Sequence, residues 1–305
     1  MNIAIIGNIV YDMTVFGEKI KVNLKNNYNN ATYNTGGPAS TAASVVAKYG
    51  SKVDFYGQVG RDASGNYTYE TMEKEGINME HVNRADNIMT PFGFIAVDET
   101  TGERSIFSVR DPQDTKIENI EYKKGYDIIL TDGKYAKDTL KLMKENPNAI
   151  SIIDAGRVND KVISVCEEVK YIICSEEFAN GVTGLEINDD YDNNKRVFSK
   201  LKERFPSAFG ITITIGAKGY ICEENSEVVI KPAYDSGKKA IDTNGAGDIF
   251  HGAFTYAVAN NYEYLDALEF ANTCASISTT KKGGRKSVPE LDVVKEALRQ
   301  KQKTK

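Results

Sequence analysis

The stretch from Asp242 to Asp248 holds the residues of this chain best suited to chemistry. Gly245, Ala246 and Gly247 stand directly before apolar residues at helical spacing, which predicts that they form the first turn of a helix. The free backbone N–H groups of such a turn stabilise negative charge. Asp248 follows at once, and its carboxylate could take the proton of a hydroxyl. A base beside an anion-binding turn predicts phosphoryl transfer to an alcohol.

The helix that this turn opens is predicted to bury one apolar stripe. The members of that stripe are Ile249, Phe250, Ala253, Phe254, Ala257 and Val258. The opposite face is then formed by Asp248, His251, Gly252 and Thr255. We therefore expect an amphipathic helix that packs one side on the core and carries the candidate base on the other.

Residues 242–255 resemble the C-terminal signature of the ribokinase-like (pfkB) carbohydrate kinases, whose central pattern is D-T-x-G-A-G-D. The resemblance covers essentially the whole chain. It implies an enzyme that uses ATP and Mg²⁺ to phosphorylate a hydroxymethyl group of a small sugar, with a ketose such as fructose as the expected acceptor. Asp248 would be the base, and the amides of Gly245, Ala246 and Gly247 would hold the developing charge.

A monovalent-cation loop is also implied by this resemblance. Its members in this chain are Asp242, Asn244, Gly284 and Ser287. Potassium bound there would tighten the anion-binding turn through the backbone. The sequence therefore implies K⁺ as a possible cofactor beside ATP and Mg²⁺.

A second segment, which runs from Gly36 to Ala43, resembles the N-terminal signature of the same family. Asp12 matches the aspartate that follows the family's first strand. The resemblance implies that the sugar is held by Asp12, Gly36, Gly37 and Thr41. The family has Asn at position 41, and Thr offers only one hydroxyl with less reach. This substitution is compatible with a smaller or differently hydroxylated substrate, so a ribokinase-type specificity cannot be assumed.

The nucleotide site is implied by three shorter matches. Residues 214–219 resemble the family's T-x-G-x-x-G loop, and Asn272 falls where the family has an Asn beside adenine. Residues 175–178 depart from the family's N-x-x-E motif and resemble the ketohexokinase- and fructokinase-like branch. Glu177 could reach a magnesium-bound water, or it is simply a solvated acid at a helix start. The expected nucleotide-binding residues are Ser175, Thr214, Gly216, Gly219 and Asn272.

Composition excludes several other classes of protein. The chain has 305 residues, of which 41% are apolar and 27% charged, with a net charge of −5. An acidic protein of this kind is not expected to bind nucleic acid. Four scattered cysteines and the absence of a long apolar run predict a cytoplasmic protein with no membrane span. His81 and His251 have no partners at metal-binding spacing, so zinc is not expected.

The elements that must position these residues alternate between apolar strands and helical stretches from residue 127 onward. This pattern predicts an α/β fold, a doubly wound and mostly parallel sheet flanked by helices, with a small β lid. The body is assigned to residues 1–12, 36–87 and 111–305, and the lid to residues 13–35 and 88–110. Arg110 ends a lid strand, where it could meet a sugar or its phosphate. A homodimer through the lid is a further expectation from the resemblance.

Two alternative functions remain open from the sequence. A nucleoside kinase for adenosine or pseudouridine would need an aromatic lid surface, which Phe16, Phe92 and Phe94 could supply. A sugar-binding regulator without catalysis would keep the fold but not the base. Asp248 and its intact glycine-rich turn argue against this second alternative.

Overall fold

The chain forms thirteen strands and nine α-helices within residues 1–101 and 103–303, which the computed structural model describes. The strands are β1 (Ile3–Ile6), β2 (Val10–Gly17), β3 (Asn30–Gly36), β4 (Val53–Gly60), β5 (Val82–Ala85), β6 (Phe92–Asp98), β7 (Arg104–Val109), β8 (Ile128–Thr131), β9 (Ile150–Ala155), β10 (Tyr171–Ser175), β11 (Gly210–Thr214), β12 (Tyr220–Glu224) and β13 (Glu227–Lys231).

The helices connect these strands and cover both faces of the larger sheet. They are α1 (Pro38–Lys48), α2 (Ala63–Lys74), α3 (Ala136–Glu145), α4 (Asp160–Cys166), α5 (Glu176–Thr183), α6 (Tyr191–Arg204), α7 (Ala246–Ala259), α8 (Tyr264–Ser278) and α9 (Leu291–Lys303). Short 3₁₀ turns span Gly216–Lys218 and Gly284–Ser287.

The larger sheet has nine strands in the order β13-β12-β11-β10-β9-β8-β1-β4-β5. In this sheet order, each strand from β11 through β1 to β5 is parallel to its neighbours in that run. Strands β12 and β13 add an antiparallel edge. All four residues of β1 and of β8 are buried, because central parallel strands are covered by helices on both faces. The predicted α/β architecture is therefore confirmed.

A separate four-stranded sheet has the order β3-β2-β6-β7. Strands β6 and β7 pair antiparallel as a hairpin; residue Gly102, between them in the chain, lies outside the described residues. β2 begins at Val10 and β3 ends at Gly36. Asp12 and Gly36, which we assigned to the body, therefore lie on strands of the small sheet, because pairing between β2 and β3 extends from Phe16 to Val10.

Helix α7 differs from the amphipathic helix that the apolar spacing predicts. Its residues are buried continuously from Ile249 to Val258, including His251, Gly252 and Thr255. At Gly252 a side chain would overlap the backbone of Ala42, because α1 packs directly on this face. The face predicted to be polar is thus a second packing face, and α7 is a central helix covered on all sides.

Candidate active site

A cavity of about 800 Å³ opens between the small sheet and the N-terminus of α7. Nine of the residues predicted from the sequence line it together. These are Asp12, Gly36, Gly37, Thr41, Asp242, Asn244, Gly245, Asp248 and Gly284. Segments more than 200 residues apart in the chain therefore meet around one space, which joins the predicted sugar-binding residues to the predicted base.

Asp12 is held in a cradle that two glycines form. A Cβ atom at Gly36 or at Gly93 would overlap a carboxylate oxygen of Asp12. In the small sheet Asp12 stands opposite Gly93 on β6 and opposite Asn34 on β3. Burial raises the pKa of Asp12 to about 6, because the charged carboxylate loses hydration there. The glycines thus leave room for a partly buried carboxylate that faces the cavity.

The glycine-rich turn forms the start of α7, as predicted. Gly245 caps the helix with a φ of 73°, a left-handed conformation that glycine adopts without a steric penalty. The Ala246 amide donates to the Thr243 carbonyl at 3.3 Å. Across the described part of the chain, the amides of Gly245 and Gly247 have no acceptor. Two free N–H groups at the positive end of a helix form a site for an anion.

Asp248 lies in the first turn of the same helix and lines the cavity. Burial, together with the negative charge of Asp154, raises the pKa of Asp248 to about 7. His251 acts in the opposite sense, and the carboxylates of Asp132 and Asp12 add smaller repulsive effects. A carboxylate whose pKa lies near neutral pH is well matched to accept a proton in general base catalysis.

The loop predicted to hold a monovalent cation is organised by Asp242. Its two carboxylate oxygens accept hydrogen bonds from the amides of Asn244 at 3.0 Å and Gly283 at 2.9 Å. The buried Ser287 hydroxyl donates to the Gly284 carbonyl at 2.7 Å. Asp242 therefore ties the segment before α7 to the 283–287 loop.

None of the predicted nucleotide residues lines this cavity. Ser175 and Thr214 are neighbours at the carboxyl ends of β10 and β11. The Ser175 hydroxyl donates to the Gly156 carbonyl at 2.8 Å and accepts from the Phe178 amide at 3.0 Å. It thus forms the N-cap of α5.

The remaining residues of this group follow the same pattern. The Thr214 hydroxyl donates to the Cys174 carbonyl at 3.2 Å, and the Asn272 amide donates to the Pro232 carbonyl at 2.9 Å. Gly216 and Gly219 have φ values of 59° and 102°, and a side chain at Gly216 would meet open space. The side chains are therefore engaged within the protein, whereas the backbone at Gly216 is accessible.

The match to known proteins decides the family. Residues 1–291 match the family described as pfkB family carbohydrate kinase. The chain belongs to that family. The prediction of an ATP-dependent carbohydrate kinase is thereby confirmed.

Individual pfkB relatives are similar over most of the chain. Ribokinase of Haemophilus influenzae is 27% identical over 272 residues, which cover 83% of this chain and 84% of that protein. Probable fructokinase-5 of Arabidopsis thaliana is 27% identical over 288 residues, which cover 83% of this chain and 85% of that protein.

Solved structures show the same fold. A putative ribokinase from Agrobacterium tumefaciens superposes with a TM-score of 0.86 at 23% identity and covers 99% of this chain and 98% of its own. Arabidopsis thaliana ribokinase, solved with ribose and ATP, superposes with a TM-score of 0.79 at 20% identity, over 97% of this chain and 98% of its own.

In this pfkB kinase the cavity also contains residues that the sequence signatures do not identify. Arg104 on β7 lines it, whereas Arg110 does not; six residues of extended strand separate the two by about 20 Å.

Asn34 and Arg285 line the cavity as well. Asn34 Oδ1 and Arg285 Nε are buried without a hydrogen-bond partner in the described residues. The alternation of β3, which turns Thr32, Asn34 and Gly36 to one face, is the signal that could have found Asn34.

Arg285 connects three parts of this kinase. Its guanidinium donates to the Thr35 carbonyl at 3.1 Å and pairs with the Glu75 carboxylate. The 3₁₀ turn that holds Arg285 is therefore fastened to the end of β3 and to the end of α2. Nothing in the sequence around residue 285 distinguishes this buried arginine from an exposed one.

The described residues contain neither a cluster of metal-ligating side chains nor a membrane-spanning helix. No cluster of three or more His, Cys, Asp or Glu side chains that could hold a metal occurs among the residues described. Glu177 is exposed and lies 3.7 Å from the Arg157 guanidinium. Within the same residues, every helix is too short or too polar to cross a membrane. The four cysteines are buried and unpaired, as expected for core residues.

Proposed function

We propose that this kinase transfers the γ-phosphoryl group of ATP to a hydroxymethyl group of a small sugar, with a ketose such as fructose as the first candidate acceptor. The observation that carries the proposal is the single cavity in which Asp12, Asp248 and the free amides of the glycine-rich turn converge. Relatives named fructokinase and ribokinase support a sugar acceptor. Ribose is the competing substrate.

Each part of the cavity would have its own role in the reaction. Asp12 would accept hydrogen bonds from sugar hydroxyls, since a carboxylate can bind two of them at once. Gly36, Gly37 and Thr41 would line the same sugar. Asp248 would remove the proton of the attacking hydroxyl, and the free amides of Gly245 and Gly247 would stabilise charge on the transferred phosphoryl group.

ATP would lie over the carboxyl ends of β10 and β11, beside Ser175, Thr214, Gly216, Gly219 and Asn272. Because the hydroxyls and the amide of this group are already hydrogen-bonded within the protein, we expect the nucleotide to be bound mainly through the backbone near Gly216. The absence of a protein metal cluster within the described chain fits a Mg²⁺ that is held chiefly by phosphate oxygens and water.

Asp242, Asn244, Gly284 and Ser287 would hold K⁺. Their oxygen donors suit a hard monovalent cation, and Asp242 already joins the two segments that would surround it. Bound potassium would supply positive charge next to the start of α7 and fix the geometry of the turn. Glu177 stays a candidate for contact with magnesium-bound water, although its carboxylate pairs with Arg157.

A nucleoside acceptor has weaker support from the cavity. Of the three aromatic residues predicted to stack a base, only Phe16 lines the cavity. Phe92 stacks on Tyr11 with ring centroids 5.7 Å apart, and Phe94 contacts Phe107 at 6.0 Å. Two of the three rings are therefore engaged within the small sheet, which favours a sugar over a nucleoside.

The proposal is tested by measuring ADP release with ATP, Mg²⁺ and K⁺ against fructose, ribose, deoxyribose and adenosine. We expect turnover with fructose or ribose, and a loss of about 1,000-fold in kcat for Asp248→Asn. The sugar should still bind to that variant, because the substitution removes the base and keeps the shape of the side chain.

Asp292→Asn is the matched control, since Asp292 is exposed in the first turn of α9. Turnover of Asp248→Asn equal to that of the wild type would refute the role of the base. Turnover with adenosine alone would overturn the sugar assignment. Binding of ATP without turnover of any acceptor would favour a regulator.

We also propose that two copies associate through the small sheet. Its edge strand β7 is exposed throughout and carries Ile106, Phe107 and Val109 with exposed fractions of 59%, 51% and 44%. Apolar side chains on an unpaired edge favour association. Light scattering should give the mass of a dimer for the wild type and of a monomer for Phe107→Lys; a monomeric wild type contradicts the proposal.

A further inference from the structure

His251 lies one helical turn beyond Asp248 and is almost completely buried, with 3% of its surface exposed. Both nitrogens of its ring face carbonyl oxygens of the backbone. Nδ1 lies 2.7 Å from the Gly247 carbonyl, and Nε2 lies 3.1 Å from the Ile173 carbonyl on β10. The ring is thus fixed between the glycine-rich turn and the centre of the sheet.

These two partners determine which ring nitrogens carry hydrogen. A carbonyl oxygen can only accept a hydrogen bond, so each nitrogen must be a donor, and both nitrogens donate only in the protonated imidazolium. A neutral ring would aim one bare lone pair at a carbonyl oxygen in a buried place. That arrangement leaves a buried acceptor without a partner, which is costly.

Asp154 on β9 supplies the negative charge that an imidazolium needs. One of its carboxylate oxygens lies 3.2 Å from Nδ1 of His251. The side chain of Asp154 is 14% exposed, and that of His251 is 4% exposed. Buried ions are stable mainly when they are paired and hydrogen-bonded. The His251 ring is therefore both paired with a carboxyl group and placed for hydrogen bonds to two carbonyls, which favours a charged histidine inside the protein.

Burial by itself works against this charge distribution. It raises the pKa of the Asp154 carboxyl and lowers the pKa of the His251 ring, so it favours a neutral carboxylic acid beside a neutral ring. Both arrangements hold the same number of protons. In the neutral one, however, only one ring nitrogen carries hydrogen, so the other turns its lone pair towards a carbonyl oxygen, that of Gly247 at 2.7 Å or that of Ile173 at 3.1 Å. The hydrogen-bond geometry therefore decides for the ion pair.

We propose that His251 is a permanently charged positioning residue, paired with Asp154, which fixes the peptide between Gly247 and Asp248 and opposes the negative charge around Asp248. The Gly247 carbonyl belongs to the same peptide plane as the Asp248 amide. The effect on catalysis rests on the proposed role of Asp248 as the base. The charge of His251 does not depend on that role.

The acidic groups that act directly on the ring are Asp154 on β9 and Asp248 on its own helix. Asp132, which follows β8, acts on both of these carboxyls, and Asp12 on β2 acts on Asp248. The thiol of Cys174 on β10 is neutral, since burial raises its pKa. His251 is thus the cation that faces a group of carboxylates, and its loss should make Asp248 harder to deprotonate.

The first test is nuclear magnetic resonance of the full chain labelled with ¹⁵N in histidine. The chain has only two histidines, and His81→Gln leaves His251 alone for assignment. We expect two nitrogens of the protonated type for His251 at pH 7.5, with no change up to pH 8.5. One protonated and one bare nitrogen at pH 7.5 would overturn the proposal.

Asp154→Asn sharpens this test, because it removes the counter-charge and keeps the size of the side chain. We expect His251 to lose one proton in that variant at pH 7.5. A ring that stays doubly protonated without Asp154 contradicts the ion pair. Since neither spectrum needs a substrate, these results stand apart from success or failure of the proposed kinase activity.

The second test is the pH profile of kcat/KM for His251→Asn. We expect its acidic limb to move to higher pH by about one unit relative to the wild type. Thr255→Val is the matched control, since Thr255 is buried on the same helix and donates to the His251 carbonyl. An equal loss of activity at every pH in His251→Asn would mean a structural role alone and would exclude the electrostatic one.

Discussion

The cavity proposed for the acceptor and the side of the sheet proposed for the nucleotide use their polar residues in opposite ways. Around the cavity, Asn34 Oδ1 and Arg285 Nε are buried without partners within the described chain, and Asp12 and Asp248 have raised pKa values. On the nucleotide side, the polar side chains of Ser175, Thr214 and Asn272 are engaged in hydrogen bonds to backbone carbonyls.

If ligands bind as we propose, this difference predicts two kinds of recognition. Unsatisfied groups with perturbed pKa values are costly to the folded protein and mark the place where a ligand completes the bonding. Satisfied side chains shape a backbone surface, which then makes the contacts. Substitutions at the cavity should therefore change kinetics, whereas comparable substitutions on the nucleotide side should change stability.

The largest expected difference in kcat/KM comes from replacing one glycine by alanine on each side, Gly93 beside Asp12 and Gly156 beside Ser175. Gly93→Ala adds a Cβ that overlaps the carboxylate of Asp12, whereas Gly156→Ala meets only an Asp154 oxygen at 4.0 Å. We expect Gly93→Ala to lower kcat/KM for the sugar about 100-fold, because displacing a positioning carboxylate by about 1 Å has effects of that size. Gly156→Ala should stay close to the wild type. Equal losses in steady-state kinetics would remove the distinction between the two sides.

The raised pKa of Asp248 predicts how stability depends on pH. Its folded pKa of about 7 exceeds its ordinary value of 3.8. The folded state therefore binds this proton more tightly, and the resulting stability is lost as pH rises towards 7. Asp248→Asn escapes this loss, so its gain in unfolding free energy over the wild type should grow by about 2 to 3 kcal/mol from pH 5 to pH 8.

Urea unfolding at both pH values measures this gain, with Asp292→Asn as the exposed control. A gain for Asp248→Asn that does not change with pH would show that the carboxyl of Asp248 has an ordinary pKa in the folded protein. The cavity would then lose one of the two features that distinguish it from the nucleotide side.

Features that depend on residues close together in the chain could be predicted from the sequence. The glycine-rich turn and the alternation of strands and helices follow from spacing of a few residues. The cradle around Asp12 could not be predicted in this way, because Gly93 reaches it only through the register of β2 and β6. Burial of His251 depends on α1 and the sheet packing on both sides of α7, which no local spacing encodes.

A smaller effect on kinetics is expected from Asn34→Ala. Asn34 stands opposite Asp12 across the small sheet, and its amide oxygen lacks a partner in the described residues. If the sugar supplies that partner, its loss should raise KM about 10-fold and leave kcat nearly unchanged. Asn30→Ala is the matched control on the same strand, since Asn30 does not line the cavity. An unchanged KM would exclude Asn34 from sugar binding.

The smallest kinetic effect should come from Ser175→Ala, although this residue stands in the nucleotide motif. Its hydroxyl caps α5 and bonds to Gly156, so its removal should lower the unfolding free energy by about 1 kcal/mol and alter KM for ATP by less than about twofold. Ser175→Thr, which keeps the cap, should restore the stability. Ser164→Ala removes a hydroxyl that is not a helix cap and should leave the unfolding free energy nearly unchanged. A large rise in KM for ATP with unchanged stability would mean that Ser175 contacts the nucleotide directly, and recognition there would then resemble that of the sugar.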